Sequence, residues 1–255
     1  MNDGRLVAHQ ARFDLRTFVR DPTATFFTLA LPVIFLVLFV SIFGSQTLES
    51  GVETTTYYVP GIVALALVSA TFVNLAISLT QQRESGVLKK VRGTPLPPWI
   101  FIAGRVVTAV VVGLAMAGVL VAIGRLFYGV ALPGTAAAGF LVALVLGAAA
   151  FSALGIAVTA VVPTEAAAPA VANAITLPLF FISGIFVPAE SIPDWLVSIA
   201  DVFPVKPLND SLFVAFDPAT SGLGLAWGDL AVLAAWGVAG AVVAARGFRW
   251  IPRRG

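Results

Sequence analysis

Six long apolar runs divide the sequence, and they limit the possible fold more than any other feature. They cover residues 26–44, 59–80, 99–124, 136–162, 166–187 and 227–245. A helix needs about 20 mainly apolar residues to cross the hydrocarbon layer of a membrane, whereas membrane β-barrels use alternating segments of about ten residues. Charged residues make up 11% of the chain, against about 25% in soluble domains. The sequence therefore predicts one all-α integral membrane domain over residues 1–255, with six transmembrane helices.

The basic residues indicate the orientation of these helices. All but two of the 15 lysines and arginines lie before the first run, between the second and third or just inside the third, or after the sixth. The two exceptions are Arg125 and Lys206, which share the opposite side with the acidic residues Glu49, Glu53, Glu190, Asp194, Asp201, Asp210, Asp217 and Asp229. Because cytoplasmic loops are enriched in Lys and Arg, both termini are predicted to be cytoplasmic. The first run is expected to be a retained span and not a signal peptide.

Residues 1–22 are predicted to form an amphipathic elbow helix along the cytoplasmic surface. At 100° per residue, one stripe is apolar and holds Val7, Ala11, Leu15 and Phe18. The opposite stripe is basic and holds Arg5, His9, Arg12, Arg16 and Arg20. Asp21 and Pro22 end the helix before the first span. The pattern is consistent with a membrane anchor that sets topology, and equally with an elbow that also contacts a cytoplasmic partner.

The cytoplasmic loop over residues 81–98 contains a short predicted helix. Val87, Leu88 and Val91 give this helix one apolar face, and residues 93–95 (Gly-Thr-Pro) end it. The loop is either an ordinary positively charged inside loop or a segment that docks onto a partner.

Two segments resemble signatures of one transporter family. Arg83 to Leu96 reads R-E-S-G-V-L-K-K-V-R-G-T-P-L, close to the R-E-x-G-x-L-x-x-L-x-x-T-P-L loop of ABC-2 type transporter permeases. Ser183 to Leu196 reads S-G-I-F-V-P-A-E-S-I-P-D-W-L, similar to that family's S-G-x-F-x-P-x-x-x-x-P-x-W-L segment. With the six runs and the elbow, the likeness covers nearly the whole chain. The sequence is similar to the daunorubicin-exporter-like branch of bacterial permeases.

The resemblance implies a permease subunit of an ATP-driven exporter in the bacterial cytoplasmic membrane. Two permease subunits, identical or paralogous, would face each other in the lipid, and two separate ATPase subunits would bind below them. The expected substrate is hydrophobic or amphiphilic, such as a drug, lipid or glycolipid. This chain has no G-x-x-x-x-G-K-[ST] phosphate loop, so it is expected to bind no cofactor, with ATP and Mg²⁺ held by the partner ATPase. No catalytic residue, metal site or nucleic-acid partner is expected.

The resemblance also implies roles for residues of the cytoplasmic loop. Those expected to couple the chain to the ATPase are Arg83, Glu84, Gly86, Val87, Leu88, Lys89, Lys90, Arg92, Thr94 and Pro95. Glu84 is the residue expected to make a polar contact across that joint. The three basic residues Lys89, Lys90 and Arg92 could instead pair with anionic lipid.

Polar residues recur on one face of two of the predicted spans. Thr71, Asn74 and Ser78 lie on the second span, and Asn173, Thr176 and Phe180 follow the same spacing on the fifth. Polar groups that face lipid are costly, so these residues either bond neighbouring helices or line a translocation path. The resemblance favours the path.

The connection over residues 188–226 is rich in proline and too apolar for a solvated loop. It is predicted to form short helices that dip into the outer leaflet as a lid over the path. The residues expected to form this lid are Ser183, Gly184, Phe186, Pro188, Pro193 and Trp195. An ordinary aromatic belt at the membrane interface is the alternative.

Two other classes of protein are alternatives to a permease. An intramembrane enzyme would need a nucleophile and a base within the spans, but the chain has no cysteine, no G-x-S-x-G serine and a single histidine, His9, outside the apolar runs. A non-transporting scaffold or resistance protein would keep the same fold without an ATPase. Copurification with an ATPase distinguishes this last possibility from a transporter.

Overall fold

The computed structural model of the chain describes residues 3–20, 22–43, 52–93 and 97–248, and the regular structure in these ranges is helical. The helices are α1 (Asp3–Arg20), α2 (Pro22–Phe43), α3 (Thr54–Val68), α4 (Asn74–Glu84), α5 (Val87–Arg92), α6 (Pro98–Tyr128), α7 (Ala137–Val158), α8 (Ala167–Ile182), α9 (Asp194–Val202), α10 (Val205–Val214) and α11 (Trp227–Gly247). A π-helical segment, Ser69–Val73, joins α3 and α4 into one continuous helix, which we call the second span.

Four helical stretches in the described ranges are long and apolar enough to cross a membrane. They are Thr54–Glu84, Trp99–Tyr128, Gly134–Val158 and Trp227–Gly247, which coincide with the predicted second, third, fourth and sixth spans. The predicted first and fifth spans lie on α2 and α8, whose apolar stretches Ala30–Phe43 and Ala167–Ile182 are shorter. The structure therefore confirms four of the six predicted spans by length and composition.

The second span occupies the centre of the bundle. In its first half, Thr54–Val68, every residue except Tyr57 is buried. Helices α2, α6, α7 and α10 surround it. A helix that is apolar on all sides is typical of such a central position.

Glycines on the neighbouring helices let the second span approach closely. A Cβ atom on Gly124 of α6 would lie 2.8 Å from Cγ2 of Val59. One on Gly155 of α7 would lie 2.7 Å from the carbonyl oxygen of Phe72, within the π-helical segment. Because helices in lipid associate through close van der Waals packing, these glycines fix how α6 and α7 meet the central helix.

The same kind of contact joins α7 to α11. Gly237 lies against Ala150, and a Cβ on Gly240 would come within 2.9 Å of the amide nitrogen of Leu154. The small residues of the fourth and sixth spans thus serve helix packing.

Helix α1, the predicted elbow, packs along the start of α6. Gly104 has no side chain, and the side chain of Gln10 occupies the space where its Cβ would be. The Thr108 hydroxyl donates to the carbonyl of Ala11 at 3.2 Å. One face of the elbow is therefore held by protein, while Phe13 on another face is 63% exposed.

Two of the predicted spans run several residues past the ends of their helices. Helix α7 ends at Val158 and not at residue 162, because the chain tightens there: the amide of Thr159 donates to the carbonyl of Ile156, three residues earlier. Helix α8 ends at Ile182 and not at residue 187, because Gly184 takes a left-handed φ of 81°. The connection between them spans residues 159–166 and is longer than the three residues, 163–165, that separate the predicted fourth and fifth spans.

The segment after α8 forms short helices, as predicted, but α10 is part of the core. Leu208 and Leu212 on this helix are fully buried, and α10 contacts the second span, α7 and α11. Residues 44–51 and 94–96, between helices, lie outside the described ranges.

We expect Gly155→Ala to destabilise the protein, because the added methyl group would collide with the backbone of Phe72 and force α7 away from the second span. Gly118→Ala is the matched control, since a Cβ there meets no atom within 4 Å. The control should be neutral or gain up to about 1 kcal/mol from helix propensity. Thermal unfolding in detergent measures both variants, and equal melting temperatures would contradict this account of the packing.

Candidate functional site

Arg83, at the end of the second span, is a buried clamp on the α7–α8 connection. Its side chain is 2% exposed. Its Nη1 donates to the carbonyl of Thr159 at 2.8 Å and its Nη2 to that of Val162 at 2.9 Å. Its Nε donates to a carboxylate oxygen of Glu84 at 2.8 Å. The guanidinium therefore satisfies carbonyl groups left free where α7 ends.

The predicted loop helix is present as α5, and part of its apolar face packs inside the chain. Gly86 precedes it with a φ of 75°, a conformation that glycine adopts readily. Leu88 is fully buried in a cluster with Leu79 and Phe101. The apolar face of α5 thus ties the loop to the second span and α6.

A smaller set of the predicted coupling residues is available at the surface. Val87 is 40% exposed, Lys89 and Lys90 are exposed, and the Glu84 side chain is 21% exposed. Arg83 and Leu88 are buried within the chain. Thr94, Pro95 and the side chain of Arg92 lie outside the described residues.

An apolar groove of about 600 Å³ lies between α2, the second span and α8. Five phenylalanines dominate its lining: Phe35, Phe39, Phe180, Phe181 and Phe186. The rings of Phe39 and Phe186 stack, with centroids 5.7 Å apart and planes 12° apart. Ser69, Asn173 and Thr176 supply the few polar groups. A groove of this size and lining suits a largely hydrophobic ligand.

The six residues predicted to line one path lie in different places. Asn173, Thr176 and Phe180 line the apolar groove. Asn74 and Ser78 instead line a second cavity of about 360 Å³, between α1, the second span and α6. This polar cavity is separate from the groove.

Two of these hydroxyl groups are already occupied inside their own helices. Thr71 is fully buried and donates to the carbonyl of Leu67 at 2.6 Å. Thr176 donates to the carbonyl of Ala172 at 3.0 Å. The second span reaches the groove through Leu65, Ser69 and Val73, which the spacing of polar residues alone did not single out.

The residues of the predicted lid divide between a buried turn and an exposed helix start. Ser183 is buried, and its carbonyl accepts a hydrogen bond from Nδ2 of Asn209 at 3.1 Å. The carbonyl of Gly184 accepts one from the hydroxyl of Tyr57 at 2.6 Å. Phe186 lies in the groove and Pro188 is half-buried. Pro193 and Trp195, at the start of α9, are exposed.

An ion-pair cluster fixes α9 against α10. Nζ of Lys206 lies 2.7 Å from a carboxylate oxygen of Asp201 and 2.7 Å from one of Asp210. Burial acts to lower the pKa of Lys206, but the two carboxylates outweigh it and raise that pKa. Burial also raises the pKa of Asp210. The cluster keeps α10 anchored at the end of the bundle opposite Arg83.

The profile of the ABC-2 type transporter family matches residues 9–216 of this chain. The chain is 31% identical over 206 residues to the daunorubicin resistance ABC transporter permease protein DrrB1 of Streptomyces coeruleorubidus, a match covering 75% of this chain and 68% of that protein. It is 24% identical over 154 residues to the probable multidrug ABC transporter permease YbhR of Escherichia coli K12.

The match to YbhR covers 60% of this chain but 42% of the length of that relative. The putative transport permease YvfS of Bacillus subtilis is 22% identical over 195 residues, which cover 76% of this chain and 79% of that protein.

Replacing Arg83 tests the clamp. We expect Arg83→Gln to destabilise the protein by about 2–4 kcal/mol, because buried carbonyl groups lose a charged donor. Arg83→Lys should fall between the wild type and Arg83→Gln, since an ammonium keeps the charge but cannot form the same forked contacts.

The matched control for this substitution is Arg125→Gln, since Arg125 is exposed near the C-terminal end of α6. Thermal unfolding in detergent compares the four proteins. If Arg83→Gln and Arg125→Gln had the same melting temperature, Arg83 would not stabilise the connection.

Proposed function

The chain belongs to the ABC-2 type transporter family, and from this premise we propose that it is the permease subunit of an ATP-driven exporter. It is a multi-pass membrane protein, with four described helices of spanning length. The family match over residues 9–216 is the observation that carries the proposal. The apolar groove is a candidate surface for the substrate. The exposed part of the cytoplasmic loop is a candidate contact for the ATPase that drives transport.

In this proposal α2 and α8 complete a set of six spans. Helix α2 has 22 residues, enough at about 1.5 Å per residue to cross the hydrocarbon. Helix α8 has 16 residues and is followed by the buried turn at residues 183–185, which extends the buried chain beyond the helix. Six spans would place both termini and the loop after the second span on one side. The basic residues on that side support a cytoplasmic location for it in a bacterial inner membrane.

The motor is a separate ATPase that binds ATP and Mg²⁺ and docks below the permease. Its proposed contact on this chain is the exposed face formed by Glu84, Val87, Lys89 and Lys90. Arg83 and Leu88 act as positioning residues, because they fix this face to the second span, α6 and the α7–α8 connection. Two such ATPases, one below each permease subunit, complete the proposed assembly.

The apolar groove is the proposed translocation surface. Side chains on α2 and α8 near it are exposed in the single chain, including Leu31, Leu177 and Phe181. A second permease subunit facing them would enclose the groove between two chains. The lining carries no charged side chain, which suits a hydrophobic or amphiphilic substrate. Two relatives are named for multidrug transport and daunorubicin resistance. We propose a hydrophobic or amphiphilic drug as the substrate of this chain as well.

Copurification and ATP turnover test the motor contact. We expect the wild-type chain in mild detergent to retain an ATPase whose turnover rises with a hydrophobic substrate such as an anthracycline. Glu84→Gln should lower that stimulation by about tenfold, the effect of about 1.4 kcal/mol. The carboxamide oxygen still accepts from Arg83, so the substitution removes the charge without breaking the clamp.

The matched control is Glu165→Gln, the same substitution at an exposed residue of the α7–α8 connection. It should leave the stimulation unchanged. Normal substrate-stimulated turnover in Glu84→Gln would contradict the role of Glu84, and a wild-type chain that retains no ATPase would contradict the transporter proposal itself.

Filling the groove tests the path. Asn173→Trp places a bulky ring in the groove, and we expect it to lower drug efflux from cells by at least about fivefold. The control is Ala174→Trp, since Ala174 is the next residue on α8, is exposed and does not line the groove. Equal efflux by the two variants, at equal expression in the membrane, would argue against this groove as the path.

A further inference from the structure

The polar cavity beside α1 has no role in the proposed transport path. It is bounded by Asp14 and Phe18 of the elbow, by residues of the second span and by Arg105 of α6. Its volume of about 360 Å³ falls within the range of about 300–1,000 Å³ that is usual for small-molecule sites.

The chemistry of the cavity wall changes with depth. Depth is counted from the last residue of α4 and from the first residue of α6, at about 1.5 Å per residue. Ser78 and Arg105 then lie about 10 Å along their helices. Ala70 and Val112 lie at about 21 Å by the same count. Most lining side chains near the helix ends are polar, with Ile77 as an apolar exception, and those at the deep end, Ala70 and Val112, are apolar. This gradient matches an amphiphile whose headgroup lies near the helix ends and whose chain points toward the membrane centre.

Both signs of charge are present at the polar end. Nε of Arg105 lies 3.5 Å from Oδ2 of Asp14, and the Asp14 side chain is 3% exposed. Nε2 of Gln10 donates to the other oxygen of Asp14 at 3.2 Å. The long ion pair leaves Oδ2 of Asp14 and Nε of Arg105 without a hydrogen bond in the described part of the chain.

Further polar atoms around the cavity also lack partners. Oγ of Ser78 and Oε1 of Gln82 are buried without a hydrogen bond to any described residue. Buried polar groups are almost always satisfied in native proteins, so a polar ligand that bonds here would be favoured. An anion alone would suit Arg105 but be repelled by Asp14, whereas a zwitterion complements both charges.

We infer that this cavity binds the headgroup region of a zwitterionic phospholipid, with the phosphate at Arg105, the ammonium group at Asp14 and the acyl chains continuing past the apolar deep end toward the membrane centre. Burial raises the pKa of the Asp14 carboxyl, against the opposing effects of Arg105 and Gln10, and a ligand ammonium would favour the ionised form. The bound lipid would join the elbow to the second span and α6. The inference does not depend on which substrate the protein exports.

Photocrosslinking in bilayers of defined composition tests the site. The full chain, with any subunits that copurify, is placed in nanodiscs containing phosphatidylethanolamine with a photoreactive acyl chain, and the crosslinked peptides are mapped. We expect crosslinks within residues 70–82 and 105–112. Unlabelled phosphatidylethanolamine should compete about tenfold better than phosphatidylglycerol, which lacks the ammonium group.

Substitutions test the contributions of Arg105 and Asp14 separately. Arg105→Gln should reduce the crosslinking about tenfold, and Asp14→Asn should remove the preference for phosphatidylethanolamine over phosphatidylglycerol. Arg125→Gln, at the exposed end of the same helix, is the control and should change neither.

Three results would overturn the inference. They are crosslinks that map elsewhere, a wild-type chain with no headgroup preference, and displacement of the lipid by free phosphoethanolamine, which would indicate a soluble ligand. These three measurements use the wild-type chain, so they decide the matter even if a variant fails to fold.

Discussion

The enclosure of the second span by protein is the constraint on which the rest of this structure depends. In lipid there is no hydrophobic driving force for helices to associate, so close van der Waals contact must hold them together. The contact partners are glycines on the neighbouring helices: Gly113 lies against Leu67, and Gly155 lies against the backbone of Phe72. Because these contacts leave no room for a side chain at either glycine, they set the position of the second span relative to α6 and α7. The groove, the polar cavity and the contacts of Arg83 all have this helix as a wall or an anchor.

The Arg83 end of the second span is connected to three other parts of the chain. Arg83 bonds to the α7–α8 connection, and Leu88 packs beside Leu79 and Phe101, which ties α5 to α6. In the proposed transporter, a displacement of the exposed face of α5 would therefore move several helices together. A contiguous network of packed and hydrogen-bonded groups is the physical means by which such coupling travels.

The groove and the polar cavity lie on two sides of the second span, and the π-helical segment lies between them. Ser69 and Val73 line the groove, whereas Ala70 and the following Asn74 line the cavity. π-Helical turns are frequent at functional sites. Here the segment contributes residues to the linings of both the groove and the polar cavity.

The sequence by itself determined the four confirmed spans and the short loop helix, and it predicts the side that carries the basic residues. Those properties follow from local hydropathy, charge and turn residues such as Gly86, and they need no knowledge of neighbouring helices. The tertiary structure alone decided that Arg83 faces inward, that Asn74 and Asn173 line different cavities, and that Asp14 meets Arg105. These outcomes depend on which helix faces meet, and contacts between residues far apart in the chain fix those faces. The spacing of residues along the sequence describes one helix at a time, so it cannot show which faces of different helices meet.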